Sequence, residues 1–185
     1  MNRYNGFTLL ESMLALAILM TLTSIAVPSF LDLTIKLRVD KEISILYRLL
    51  LITRNTAINS GIDTTLCPLV NNACTDDWSL PLYVFLDKNN NKQFEPQNKE
   101  KFISTKGAIK TNDKLQYGKK RVGITYTATG HLSGWGQNGT FKYCPKNHME
   151  KSRGVVVATS GRVYKSYQSS TGKDKNRSGT IIICS

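Results

Sequence analysis

The chain has 185 residues, 41% of them hydrophobic and 21% charged, and its 25 Lys and Arg against 13 Asp and Glu give a formal net charge of +12. Once an apolar N-terminal run is set aside, that length leaves room for one folded domain rather than several, and about 150 residues suffice to bury a core. The basic excess favours polyanions, either nucleic acid or an acidic surface, although a merely basic soluble domain would show the same excess.

Residues 1–30 read MNRYNGFTLLESMLALAILMTLTSIAVPSF. Residues 9–27 are almost wholly apolar, long enough to cross about 30 Å of hydrocarbon, which takes about 20 helical residues. One charge, Glu11, sits near the start of that run. A carboxylate at the bilayer centre costs roughly 2.5–3.5 kcal/mol, and less near an interface, so Glu11 calls for a partner. A secretory signal peptide fits poorly, because the leader spans only residues 1–6 and no small-residue cleavage site closes the apolar run. A plain anchor helix accounts for everything except the Gly6-Phe7 junction and Glu11.

Those two features carry a resemblance. Gly6-Phe7-Thr8-Leu9-Leu10-Glu11 resembles the processing motif of type IV pilins and type II secretion pseudopilins. The resemblance implies cleavage after Gly6 by a prepilin peptidase on the cytoplasmic side, then N-methylation of Phe7. Loss of residues 1–6 would remove Arg3 and leave +11 on the side chains. Glu11 becomes the fifth residue of the mature chain, where the family carries a glutamate that meets the terminal amine of a neighbouring subunit. Opposite charges attract far more strongly at low dielectric than in water, and a wrong register would leave both buried and unpaired. The implied organisation is a cleaved leader (1–6), a transmembrane and assembly helix (7–30) and a periplasmic head (31–185). The subunit would pass once through the inner membrane before entering a pilus or pseudopilus. Its implied partners are other minor and major pilins, the peptidase, an inner-membrane assembly platform and, before assembly, the membrane itself.

Past Pro28, which falls where the family often has a kinking proline and should bend the helix or open a backbone bond, the helical pattern continues. Val39, Ile43, Leu46, Leu50, Thr53 and Ala57 recur at steps of three and four, one face of an amphipathic helix. Lys36, Arg38, Asp40, Lys41 and Arg48 fall mainly off that stripe, and Gly61 is placed to end the helix as its C′ residue. Residues 7–59 would form one helix of about 80 Å at ~1.5 Å per residue.

Beyond Gly61 the chain turns to short β-like runs at 64–67, 82–86, 101–103, 122–126, 139–144, 155–158, 162–167 and 180–184. Their turn content suggests antiparallel sheet, and a helix followed by strands gives an α+β fold. Residues 169–178, SSTGKDKNRS, are polar and without apolar anchors, so they read as a mobile loop. There is no internal repeat.

The four cysteines, Cys67, Cys74, Cys144 and Cys184, allow three pairings, and an exported domain permits disulfides. Cys67 and Cys74 flank a turn-like PLVNNA, while Cys144 and Cys184 each end a strand-like run, which favours Cys67–Cys74 and Cys144–Cys184. Zinc is the weaker reading: there is no C-x-x-C, and His131 and His148 lack ligand spacing.

Later segments narrow the resemblance. TRNTAINSG followed by TTLCP, then WSLPLYVFLDKNNNKQF, GTFKYCPKN and RGVVVATSGRVY resemble the GspH/FimT/FimU group of minor pilins. That implies a pilin-like fold with the long helix packed on a small antiparallel sheet. Asp87 to Glu95 spaces oxygen side chains as an EF-hand does, but lacks its glycine at the sixth position and glutamate at the twelfth. Asn and Asp build turns by bonding their own backbone, so a hairpin turn is the better reading. No nucleophile elbow, P-loop, H-E-x-x-H or paired-carboxylate pattern is present, so no cofactor, metal or enzymatic activity is expected.

Basic residues cluster late. Lys142, Lys146, Lys151, Arg153, Arg162, Lys165, Lys173, Lys175 and Arg177 face only Glu150 and Asp174, with Tyr164 and Tyr167 interleaved. Lys and Arg contact phosphates and aromatics stack on exposed bases. DNA-uptake members of the FimT group carry a C-terminal G-R-x-R motif. Gly161 and Arg162 match it, but Tyr164 stands at the second arginine, and Lys165, which follows in charge, would point to the opposite face of a strand from Tyr164. The resemblance thus raises contact with double-stranded DNA through Gly161, Arg162, Lys165, Lys173, Lys175 and Arg177, against a solvated basic loop.

Overall fold

The computed structural model describes residues 6–110, 112–169 and 172–184. They form one long helix, α1 (Leu9–Ser60), followed by β1 (Thr64–Val70), β2 (Ala73–Cys74), β3 (Leu82–Leu86), β4 (Phe102–Lys106), β5 (Lys114–Tyr117), β6 (Ile124–Tyr126), β7 (Gly139–Cys144), β8 (Arg153–Val157), β9 (Val163–Lys165), β10 (Tyr167–Gln168) and β11 (Asp174–Lys175). The chain divides into two compact units, Met1–Arg38 and Val39–Ser185.

In the first unit, every residue from 6 to 34 is exposed. Leu9, Leu10, Met13, Leu16, Ile18 and Leu22 turn apolar surface outward on all sides, the pattern of a helix meant for lipid or for other helices. Pro28 lies inside α1, where its missing N–H removes one backbone bond. Among the described residues α1 is the one helix long and apolar enough to cross a membrane.

In the second unit the expected stripe is buried. Val39, Ile43, Leu46, Leu50, Thr53 and Ala57 all face inward, joined by Leu49. Its five aliphatic side chains bring on the order of 10 kcal/mol of burial, an upper bound set by an extended unfolded reference. Gly61 ends α1 in the left-handed region at φ +66°, its N–H donating to the Ala57 carbonyl at 3.0 Å. A five-stranded antiparallel sheet follows, in the order β2-β1-β3-β4 with β6 on the other side of β1, and a second, four-stranded sheet runs β5-β7-β8-β9. Trp78, at the entry to β3, stands edge-on to Tyr117 of β5 and Phe141 of β7 at 5.2 and 5.0 Å. Its indole N–H donates to the Arg121 carbonyl at 2.7 Å, so this buried ring anchors the connection between β2 and β3 on the second sheet.

Both expected disulfides form, Cys67–Cys74 and Cys144–Cys184. Two expectations need correction. Residues 180–184 make no strand: Ile181 forms a single bridge to Lys175, because the Asn176 carboxamide closes a turn on the Ser178 hydroxyl and the Thr180 N–H. Nor is 169–178 a free loop, although residues 170 and 171 lie outside the described residues. Asp174 and Lys175 within it form β11, paired with β10, and its anchor is a buried carboxylate, Asp174, rather than an apolar side chain.

Candidate functional site

The first candidate is the start of α1. The Thr8 N–H and hydroxyl reach Glu11 Oε2 at 3.2 and 3.3 Å, and the Glu11 N–H donates back to Thr8 Oγ1 at 3.3 Å. This is a reciprocal capping box, in which two otherwise orphaned backbone donors are satisfied. Glu11 therefore has a local duty as well as its charge. A threonine three residues before a glutamate, ahead of an apolar run, is the signal that sequence reasoning passed over. Gly6 has open space where a Cβ would stand, with nothing within 4 Å. Gly6 and Phe7 are both exposed.

The second candidate, the late basic cluster, divides between the two ends of a short ladder. The β8–β9 ladder pairs Val157 with Val163 and Val155 with Lys165, so Gly161 and Arg162 lie at one end of it and Lys165 at the other. Lys165 Nζ reaches Ser44 Oγ at 3.0 Å and lies 5.2 Å from the Tyr47 ring, both on α1. Lys175 pairs with Tyr167 at that same far end, Lys173 is exposed, and Arg177 stacks over Tyr164 at 4.6 Å. Gly161 is a packing residue. Its φ is +74°, and a Cβ there would meet the Gly130 carbonyl oxygen at 2.2 Å and the Tyr126 ring at 3.0 Å.

Arg153 is likewise no free charge but a half-buried, paired one. Its Nε donates to Asp174 Oδ2 at 2.9 Å and its Nη1 pairs with Asp40 of α1. The Ser166 hydroxyl reaches the same Asp174 oxygen at 2.5 Å and accepts the Gly154 N–H at 2.9 Å. Burial opposes the guanidinium charge, but the hydrogen bonds to Asp40 and Asp174 outweigh it and hold the Arg153 pKa above its ordinary value.

In the 87–100 turn the carboxylates spend their lone pairs on N–H and hydroxyl donors. Asp87 accepts from the backbone of Asn91 and Lys92 and from the Thr65 hydroxyl. Glu95 Oε2 accepts three carboxamides, from Asn89, Asn91 and Asn98, at 2.7 to 3.0 Å. Such a set builds a turn.

A family model described as Type II transport protein GspH matches residues 43–161, and one described as the prokaryotic N-terminal methylation motif matches residues 1–27. No curated protein sequence matches the chain. Among solved structures, the type IV minor pilin FimU of Pseudomonas aeruginosa is similar at 15% identity, over 77% of this chain and 96% of that one, with a TM-score of 0.59. A second crystal form of it gives 0.55, at the same identity, over 74% and 96%. The minor pseudopilin EpsH from the type 2 secretion system of Vibrio cholerae, at 15% identity over 69% and 95%, gives 0.47.

Proposed function

The chain belongs to the GspH family of type II transport proteins, within the type IV pilin and type II secretion pseudopilin superfamily, and from that premise we propose that it is a minor pilin that primes or caps a type IV pilus. The observation that carries this reading is the helix start: an exposed Glu11, capped by Thr8 and four residues past an open Gly6-Phe7 junction, at the head of a helix apolar on every side. In this reading the helix holds the subunit in the inner membrane until a prepilin peptidase cuts after Gly6. The new Phe7 amine then meets the fifth-residue carboxylate of a neighbour as the assembly platform extracts the subunit. In low dielectric the pair is strong when matched and costly when either charge is left alone, which sets the axial register. The disulfide-closed head, placed in the periplasm, then becomes part of the filament surface.

Because Gln can serve as well as Glu in a capping box, Glu11→Gln separates the two duties of this residue. It keeps the helix start and loses the charge, so incorporation into fibres should fail as completely as with Glu11→Ala.

The second reading, a minor pseudopilin of a type II secretion system, uses the same parts and is favoured by the GspH match itself. Deletion in the host, scored together for pilus number, exoprotein release and DNA uptake, decides between them. Loss of pili with secretion intact supports the pilus; loss of secretion with normal pili replaces it with the secretion system. A role in DNA uptake would rest on non-specific attraction between double-stranded DNA and the basic head, with Arg162 and Lys173 as exposed contacts.

A further inference from the structure

The loop at residues 131–138, HLSGWGQN, is held from both ends. The Thr127 N–H donates to the His131 carbonyl at 2.8 Å, the Ser133 N–H to the Thr125 carbonyl at 2.9 Å, and the Thr125 N–H to Gln137 Oε1 at 2.8 Å. Arg121 Nη1 donates to the Asn138 carbonyl at 2.6 Å, and the Tyr117 hydroxyl bonds the Gln137 carbonyl. At the tip of this braced loop, between Gly134 and Gly136, Trp135 is 105% exposed. A large aromatic side chain on a prefixed loop loses little conformational entropy when it is covered, which is the profile of a binding anchor. Beside it lies an open cavity of about 330 Å³ lined by Leu132, Ser133, Trp135, Asn138 and Thr159, with no charged residue.

The sheet register brings cations to this same end. Gly139 pairs with Val157, Tyr117 with Phe141, and Val157 with Val163. The turn after β5, carrying Lys119, Lys120 and Arg121, therefore shares one end of the sheet with the Trp135 loop and with Arg162. Lys119, Lys120 and Arg162 are exposed. Lys119, Lys120 and Arg121 also line a second cavity of about 520 Å³, in which Asp76 is the carboxylate.

We propose that this end of the sheet binds an acidic polysaccharide, with one sugar ring laid on the indole of Trp135 and the neighbouring carboxylates on Lys119, Lys120 and Arg162. The two halves of the surface select for it together. A sugar ring has an apolar C–H face for the indole and hydroxyls for the Asn138 amide and Thr159 hydroxyl, and a uronic acid adds one negative charge per residue for the cations. A neutral glucan leaves the cations unused. Duplex DNA meets the cations, but its bases are stacked inside the helix and offer the indole no ring.

The test uses the full chain in detergent micelles, titrated with a polygalacturonate hexasaccharide, cellohexaose, a thymidine oligonucleotide and a DNA duplex. Of the two tryptophans, Trp78 is 3% exposed, so a blue shift of the emission on binding reports Trp135. The hexauronate should bind saturably and more tightly than cellohexaose. Calorimetry should show about a tenfold loss with Trp135→Ala and a partial loss with Trp135→Phe, as for an aromatic anchor, and a several-fold loss with Lys119→Gln and Lys120→Gln together. No saturable binding, unchanged affinity after Trp135→Ala, or tighter binding of either nucleic acid would overturn the proposal.

Discussion

A Cβ on Gly161 would lie 2.2 Å from the carbonyl oxygen of Gly130, and that same oxygen accepts the Arg54 Nε–H of α1 at 3.0 Å. The glycine of the G-R pair is thus part of the joint between the β8–β9 turn, the 130 turn and the helix. Gly161→Ala combines a left-handed φ with a backbone collision, so it should cost about 2 kcal/mol or more. Arg162→Ala, at an exposed position, should stay within about 0.5 kcal/mol. Denaturant unfolding of the full chain in micelles, followed by near-ultraviolet circular dichroism, measures both. Equal effects would mean that the joint does not bear on stability.

Arg153 connects three separate stretches, through Asp40 on α1 and Asp174 on β11. Arg153→Met leaves Asp174, 6% exposed, without its cation. Stranding a buried charge costs about 3–5 kcal/mol, reduced here to about 2–3 because the guanidinium and Asp40 are partly solvated. Arg153→Met with Asp174→Asn should recover part of that loss in the same unfolding measurement. A double variant no better than the single one would show that the pair is not coupled.

The two disulfides differ in what they constrain. Cys144–Cys184 closes a separation of 40 residues and Cys67–Cys74 one of 7. On the loop-entropy model their contributions are about 4 and about 2 kcal/mol. Replacing Cys144 and Cys184 by Ser should therefore lower the unfolding midpoint more than replacing Cys67 and Cys74.

Two carboxylates near the 87–100 turn are shifted in opposite directions. Burial, and then the nearby Asp87, raise the Asp63 pKa. Its protonated form is the one the fold prefers, so its contribution is full below the ordinary carboxylate pKa and fades as pH rises through the raised value. Hydrogen bonding from Asn89 foremost lowers the Glu95 pKa. Its contribution is full above the ordinary value and fades as pH falls through the lowered one. Relative to the parent, Asp63→Asn should do better near pH 7 than near pH 3, and Glu95→Gln the reverse. Thermal unfolding at the two pH values gives the sign.

Much of this fold can be read from the chain, because its signals are local. The apolar run, the Val39-to-Ala57 stripe and the turn between Cys67 and Cys74 each carry their meaning within a few residues. β5 passed unread although Leu115 and Tyr117 alternate inward between Lys114 and Gln116; its polar half obscured the pattern. The anchoring of β11 was not legible at all, since Asp174 meets an arginine 21 residues away. The same holds for the basic cluster. Strand alternation sets Lys165 on the face opposite Tyr164, but only the folded chain shows that this face meets α1, where Lys165 reaches Ser44.

Assembly of this subunit into a filament turns on the bond between Gly6 and Phe7. Mass spectrometry of the N-terminal peptide of the chain isolated from its host tests that bond most directly. The expected product begins at an N-methylated Phe7 and has lost residues 1–6. A mature chain that still carries its first six residues would contradict the account at its base.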